Sequence, residues 1–172
     1  MQLLARQNQL QAVMETNSQT QRFGLTLSQE EAELLVQDRL DSLQQQKRVE
    51  FGEGILPKII FTFCDSQYIS QDNYVETIGR LQDIFFLFKN EALDLLSDDE
   101  LLQFMKEQFE TICFGDADYL ESTCLEIFAS AVRSGYEGFR ASEGRGEYGQ
   151  FDEVPRWDKE LYLETLRDLC WR

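Results

Sequence analysis

Histidine is absent from this chain of 172 residues. Imidazole titrates nearest neutrality and is the usual general base and the commonest metal ligand. Its absence excludes a Ser-His-Asp triad, a Cys-His dyad, an H-E-x-x-H zinc helix and a Glu-x-x-His di-iron bundle. Long apolar runs are missing too: none approaches the roughly 18 residues of a membrane span. Met1 to Asn8 carries one Arg and no apolar h-region, so no secretory leader is expected. Cys64, Cys113, Cys124 and Cys170 include no C-x-x-C pair, which removes support for zinc and thioredoxin-like readings. Basic side chains are scarce, 16 against 32 acidic ones, giving a net charge of −16 and a pI near 4.3. Such a field repels nucleic acid and anionic membrane and favours basic proteins or cations. The expectation is a cytoplasmic protein that binds neither nucleic acid nor membrane and carries no cofactor.

What is present is enough to fold. Apolar residues make up 42% of the chain, thirteen of them Phe, above the range of disordered segments. At 20.1 kDa the chain suits one domain, and a chain near this size buries roughly 70% of its unfolded surface. The apolar period stays close to 3.6, so the fold class is all-α: a single compact domain of five or six helices. Residues 1–24 are rich in Gln and only weakly amphipathic, and read as a loose arm with a marginal helix.

A helical core is predicted over 25–134. Ser28 and Glu31 form a capping box for a helix whose face carries Ala32, Leu35, Val36, Leu40 and Leu43. Between Ile55 and Tyr68 the period of Leu56, Ile59, Ile60, Phe63 and Cys64 outlasts a strand and favours a helix, with Pro57 in its first turn. A helix from about Ser70 to Lys89 presents Tyr74, Ile78, Leu81, Phe85 and Phe88. Ser97 and Glu100 make a second capping box, with Leu96 and Leu101 placed as its staple. That helix carries Leu102, Met105, Phe109 and Ile112 and stops at Gly115. Asp116 is placed to cap the next one, which carries Leu120, Cys124, Ile127, Phe128 and Val132. Residues 135–154 read as a Gly-rich flexible loop. Residues 155–172 read as an amphipathic helix, bearing Trp157 and Trp171, docked on the core. Cys113, Cys124 and Cys170 fall on apolar faces and are expected as buried thiols rather than a disulfide.

Between Glu91 and Glu126 there are eleven acidic side chains and one base, Lys106. Helix starts account for part of this, since carboxylates favour the positive end of a helix dipole. The remainder supplies a candidate interaction face: Asp94, Asp98, Asp99, Glu107, Glu110, Asp116, Asp118 and Glu121. Asp116-Ala-Asp118 is too short for a calcium loop. The glycines before Ile55 enclose Glu53, which opposes phosphate, and no G-x-x-x-x-G-K-[ST] is present. Asp65 is a poor base for Cys64, because its charge favours the neutral thiol. No catalytic, cofactor-binding or metal-ligating residue is assigned.

Six strings carry a resemblance: Phe23-Gly-Leu-Thr-Leu-Ser28, Arg48-Val-Glu-Phe-Gly-Glu-Gly-Ile-Leu-Pro-Lys58, Phe63-Cys-Asp-Ser-Gln-Tyr-Ile69, Leu81-Gln-Asp-Ile-Phe85, Phe88-Lys-Asn-Glu91 and Leu96-Ser-Asp-Asp-Glu-Leu101. Over about residues 23–126 the chain resembles a family of small uncharacterised proteins, a domain of unknown function, from clostridia and related Firmicutes. The resemblance implies a bacterial cytosolic protein and transfers no functional residue. The reading that follows is a non-enzymatic interaction module whose acidic face docks a basic protein. Its alternatives are a carboxylate-based or divalent-cation-dependent enzyme and a nucleic-acid mimic that blocks a DNA-binding protein.

Overall fold

The computed structural model describes residues 2–50, 54–92 and 96–132, and among these there is no strand. The helices are α1 (Gln2–Glu15), a single turn α2 (Asn17–Thr20), α3 (Gln29–Gln45), α4 (Leu56–Phe63), α5 (Tyr74–Glu91), α6 (Asp98–Thr111) and α7, which opens at Ala117–Tyr119. A π-helical turn at Leu120–Cys124 follows, and α7 then continues through 125–132. The all-α class is as the periodicity predicts. The Gly-rich loop at 135–154 and the C-terminal helix at 155–172 lie outside the described residues.

Both capping boxes form. The Ser28 hydroxyl accepts the Glu31 N–H at 3.2 Å, and the Ser28 N–H donates back to the Glu31 carboxylate at 2.9 Å. At α6 the Ser97 hydroxyl accepts the Glu100 N–H at 3.2 Å, with the return bond at 3.4 Å. Losing this cap leaves an orphan N–H at the helix start, so Ser97→Ala should cost about 1 kcal/mol, read as a lowered urea midpoint at unchanged slope. Helix α5 begins at Tyr74 rather than near Ser70. Asn73 accounts for the delay: it accepts the Ser70 N–H at 2.8 Å and donates to the Tyr68 carbonyl at 3.1 Å, closing a turn instead.

Cross-helix pairs give the direction of each element. Lys58 meets Asp99 at 3.1 Å, and seven residues further along both chains Asp65 meets Lys106 at 2.6 Å. Helices α4 and α6 therefore run in the same direction. Asp38 bonds Gln82 at 2.8 Å, and Gln46 bonds Asn90 eight residues further along α5, so α3 and α5 also run together. Lys89 near the end of α5 meets Asp98 at the start of α6 at 3.0 Å, and Arg80 nearer the start of α5 meets Asp118 beyond the end of α6 at 3.1 Å, so α5 and α6 run against one another. One end of the bundle thus gathers the starts of α4 and α6 with the ends of α3 and α5. The other end gathers the reverse set and the start of α7.

The core is aromatic. Phe88 packs on Phe128 at 4.9 Å and on Phe104 at 6.1 Å between ring centroids, and Phe63 meets Phe109 edge-on at 5.5 Å. The periodic positions of α5 and of the Leu120–Val132 stretch are buried as predicted, apart from a half-buried Ile127. The face of α3 differs in one place. Leu40 is 38% exposed, while Arg39 takes the buried position at 1%. The N-terminal segment also differs from a loose arm. Helix α1 packs against α3 and α4, Val13 and Thr16 are buried, and the Asn17 amide clamps both backbone groups of Leu27, at 2.7 and 2.8 Å.

Candidate functional site

The acidic stretch does not form one face. Asp94 lies outside the described residues. Asp98 and Asp99 open α6, where Asp98 pairs with Lys89 at 3.0 Å and Asp99 with Lys58 at 3.1 Å. A helix of 14 residues is about 20 Å long, so Glu107 and Glu110 sit near the far end of the bundle. Asp116, Asp118 and Glu121 join them there at the start of α7. The chain reversals bring Asp65, Asp72 and Glu76 to the same end, although sequence reading did not group them with the block.

Several of these carboxylates are tied locally. Asp116 caps α7 by accepting the Asp118 and Tyr119 N–H groups at 3.0 and 3.2 Å. Arg80 reaches across from α5 to Glu121 and to Asp118, the latter at 3.1 Å. The hydrogen bond that Arg80 donates to Glu121, ahead of the one it donates to Asp118, raises the Arg80 pKa further. Asp118 nevertheless remains 87% exposed, so its charge faces solvent.

At this acidic end an aromatic side chain is pushed outward. Phe114 has φ 49° and is 69% exposed, a backbone conformation that bulky residues seldom adopt. Gly115 follows at φ 82°, and its N–H donates back to the Phe109 carbonyl at 2.9 Å. Tyr68 fills the space beside this glycine so closely that a Cβ on residue 115 would lie 2.4 Å from the Tyr68 Cβ. Tyr68 is itself held edge-on against Phe109 at 6.1 Å. The end of α6 therefore has a fixed exit, and that exit presents Phe114 among Glu110, Asp116 and Asp118. Tyr119, 42% exposed, stands nearby in the chain. A helix stop at Gly115 was legible in the sequence, but the outward aromatic before it was not.

Cys64 is held as the neutral thiol, and Cys170 lies outside the described residues. Burial, then the Asp65 charge, push the Cys64 thiol up. Cys113 and Cys124 are buried with their sulfurs 3.7 Å apart. Among the described residues no group of three or more Cys, Asp or Glu side chains is placed to hold a metal ion, and no helix is long and apolar enough to cross a membrane.

Two polar features went unread in the sequence. Arg39 is enclosed beneath α3 and pairs with Glu50 at 2.6 Å. On the seam between α3 and α5, Asp38 is raised to about 7. Burial is the main cause, and the facing Asp83 carboxylate adds to it against the opposing hydrogen bond from Gln82. Ser42 donates to Asp83 beside it. The signal for Arg39 was its place in the i, i+3, i+4 row with Leu35, Val36 and Leu43. Its charge had masked that place.

The model of a protein family, described as a family of unknown function (DUF6323), matches residues 12–138. Compared with curated proteins and with solved structures, the chain matches none.

Proposed function

We propose that this chain, which belongs to the family of unknown function DUF6323, is a cytoplasmic, non-enzymatic interaction module that docks a basic protein through the acidic end of its bundle. The observation that carries this reading is Phe114, held at φ 49° and 69% exposed at the end of the bundle where Glu110, Asp116 and Asp118 lie close to it in the chain. A left-handed aromatic costs on the order of 1–3 kcal/mol, and such strain concentrates at binding and switch positions. An exposed aromatic with a charged surround matches the anatomy of an interface: a central anchor desolvated in a pocket, with a polar rim that sets charge complementarity. The partner surface would be an apolar pocket rimmed by Lys and Arg. Carboxylate-based chemistry takes second place, because Asp38 and Asp83 line neither of the two hollows described below and the carboxylates that do, Glu50 and Asp98 in one and Glu15 in the other, are each tied to a neighbour: Arg39, Lys89 and Gln11.

The test separates binding from folding. Phe114→Asn places a residue tolerant of left-handed backbone at this site, so its urea midpoint should rise, by about 1 kcal/mol of stability. Basic protein retained from a host extract by the immobilised chain at low salt should be released at high salt, and it should be absent from the Phe114→Asn column. Equal retention by the variant would overturn the reading.

A further inference from the structure

At the opposite end of the bundle lies a cleft of about 720 Å³, lined by the α3–α4 connection, the start of α4 and the last turns of α5. Its volume is in the range of small-molecule sites. One wall is apolar: Pro57, Phe61, Phe85 and Phe86 line it, Phe85 and Phe86 with 2% of their surface exposed. Phe61 is 43% exposed at its edge. Pro57 and Phe61 also line a second, smaller hollow, so the surface continues past them towards α1.

The charge of this cleft runs against that of the molecule. Among the described residues that line it are Arg48, Lys58 and Lys89, with two carboxylates, Glu50 and Asp98. Glu50 is turned inward: one oxygen accepts from Arg39 at 2.6 Å and the other from the Ile55 N–H at 2.9 Å. Asp98 is matched by Lys89 at 3.0 Å. Among the described residues Lys58 pairs with Asp99, which is 79% exposed, and exposed pairs of this kind are weak and readily exchanged.

Behind the wall lies a further cation. Gly54 lines the cleft, and a Cβ there would fall 2.5 Å from an Arg39 guanidinium nitrogen. The guanidinium therefore sits directly behind a residue with no side chain to cover it. Its Nη1, fully enclosed, has no hydrogen-bond partner, an arrangement that leaves a buried donor unsatisfied.

We infer that this cleft binds an amphipathic organic carboxylate, with the apolar body against Pro57, Phe61, Phe85 and Phe86 and the carboxylate at Lys58, while Lys89 stays on Asp98 and the Leu96 carbonyl and contributes its charge at longer range. The ligand anion replaces Asp99 on Lys58 and adds to a field set by Lys89 and by Arg39 behind Gly54. Aromatic walls supply the affinity for the body, and the ammonium groups supply discrimination for the acid over its neutral analogue. This site is separate from the acidic end and does not depend on Phe114.

The experiment titrates the full chain with 4-phenylbutyrate and with decanoate, each against its own amide, by calorimetry and by amide chemical shifts. At least one acid should saturate with a Kd below about 1 mM, and its amide should bind about tenfold more weakly. Lys58→Ala and Phe61→Ser both change exposed positions and should keep the wild-type melting temperature. Each should weaken the acid by about fivefold or more, whereas Phe114→Asn should leave it unchanged. The proposal fails if neither acid saturates by about 10 mM, if acid and amide bind equally, or if either cleft variant binds like wild type. Loss of binding in Phe114→Asn alone would place the ligand at the acidic end and also overturn it.

Discussion

Replacing Glu50 by alanine should remove about 3–5 kcal/mol of stability, more than any surface change in this protein. Arg39 is 1% exposed, and taking a guanidinium out of water costs several kcal/mol unless it is paired and hydrogen-bonded. Glu50 pairs with it at 2.6 Å, and the same carboxylate accepts the Ile55 N–H at the start of α4. Its loss leaves a buried charge uncompensated and an orphan donor at a helix start together. Arg39→Met in the Glu50→Ala background removes the stranded charge, so it should restore at least half of the loss. Urea unfolding of the two single variants and the double variant gives the comparison. A Glu50→Ala midpoint within about 1 kcal/mol of wild type would mean that water reaches the guanidinium.

The second large effect is a gain. Asp38 is raised from 3.8 to about 7, chiefly by burial and then by the facing Asp83 carboxylate, with Gln82 opposing. A carboxyl with a raised folded pKa binds its proton more tightly in the native state. Its contribution is therefore most favourable below the unfolded pKa and is lost as pH rises from about 4 to about 7, and it is flat above that. The full shift corresponds to about 4 kcal/mol. Because Asp38 is only half-buried and still partly screened by solvent, an effect of about 2 kcal/mol is expected. Asp38→Asn mimics the protonated form: its amide can donate to Asp83 while its oxygen keeps the bond from Gln82. The variant should be about 2 kcal/mol more stable than wild type at pH 8 and nearly equal to it at pH 4.5. Chemical denaturation at the two pH values reads this difference, and a gain independent of pH would assign it to something other than this proton.

The parts of the fold legible from sequence are those set by local chemistry. Ser28 with Glu31 and Ser97 with Glu100 are three residues apart, so the sequence alone contains the whole motif. The faces of α5 and of the Leu120–Val132 stretch follow the period because their buried positions carry no charge, and Gln82 is the one amide among them. Burial of Arg39 depends on Glu50, eleven residues away across a turn, and a period rule that scores charge as exposed selects Leu40 instead. The N-terminal segment looked loose because its hydrophobic pattern is weak. It is held by Asn17 reaching Leu27 and by Thr20 reaching the Leu25 carbonyl at 2.8 Å, bonds that hydropathy does not register. The acidic stretch was visible as composition, yet the length of α6 divides it. Its members at the far end gain neighbours from α4 and α5 that no local window contains.

The alternating run of α3, α4, α5 and α6 has a kinetic consequence. It gathers Asp65, Asp72, Glu107, Glu110 and Asp118 at one end with Arg80 and Lys106 against them, whereas at the other end Arg48, Lys58 and Lys89 meet Glu50, Asp98 and Asp99, so negative charge is distributed unevenly along the domain. A body charged unevenly rotates in the field of a cationic surface before it touches, so diffusional encounters are steered acidic end first and a larger share of collisions is productive. Salt would then act mainly on the rate of association, and the lifetime of the docked state would be set by how well Phe114 is enclosed.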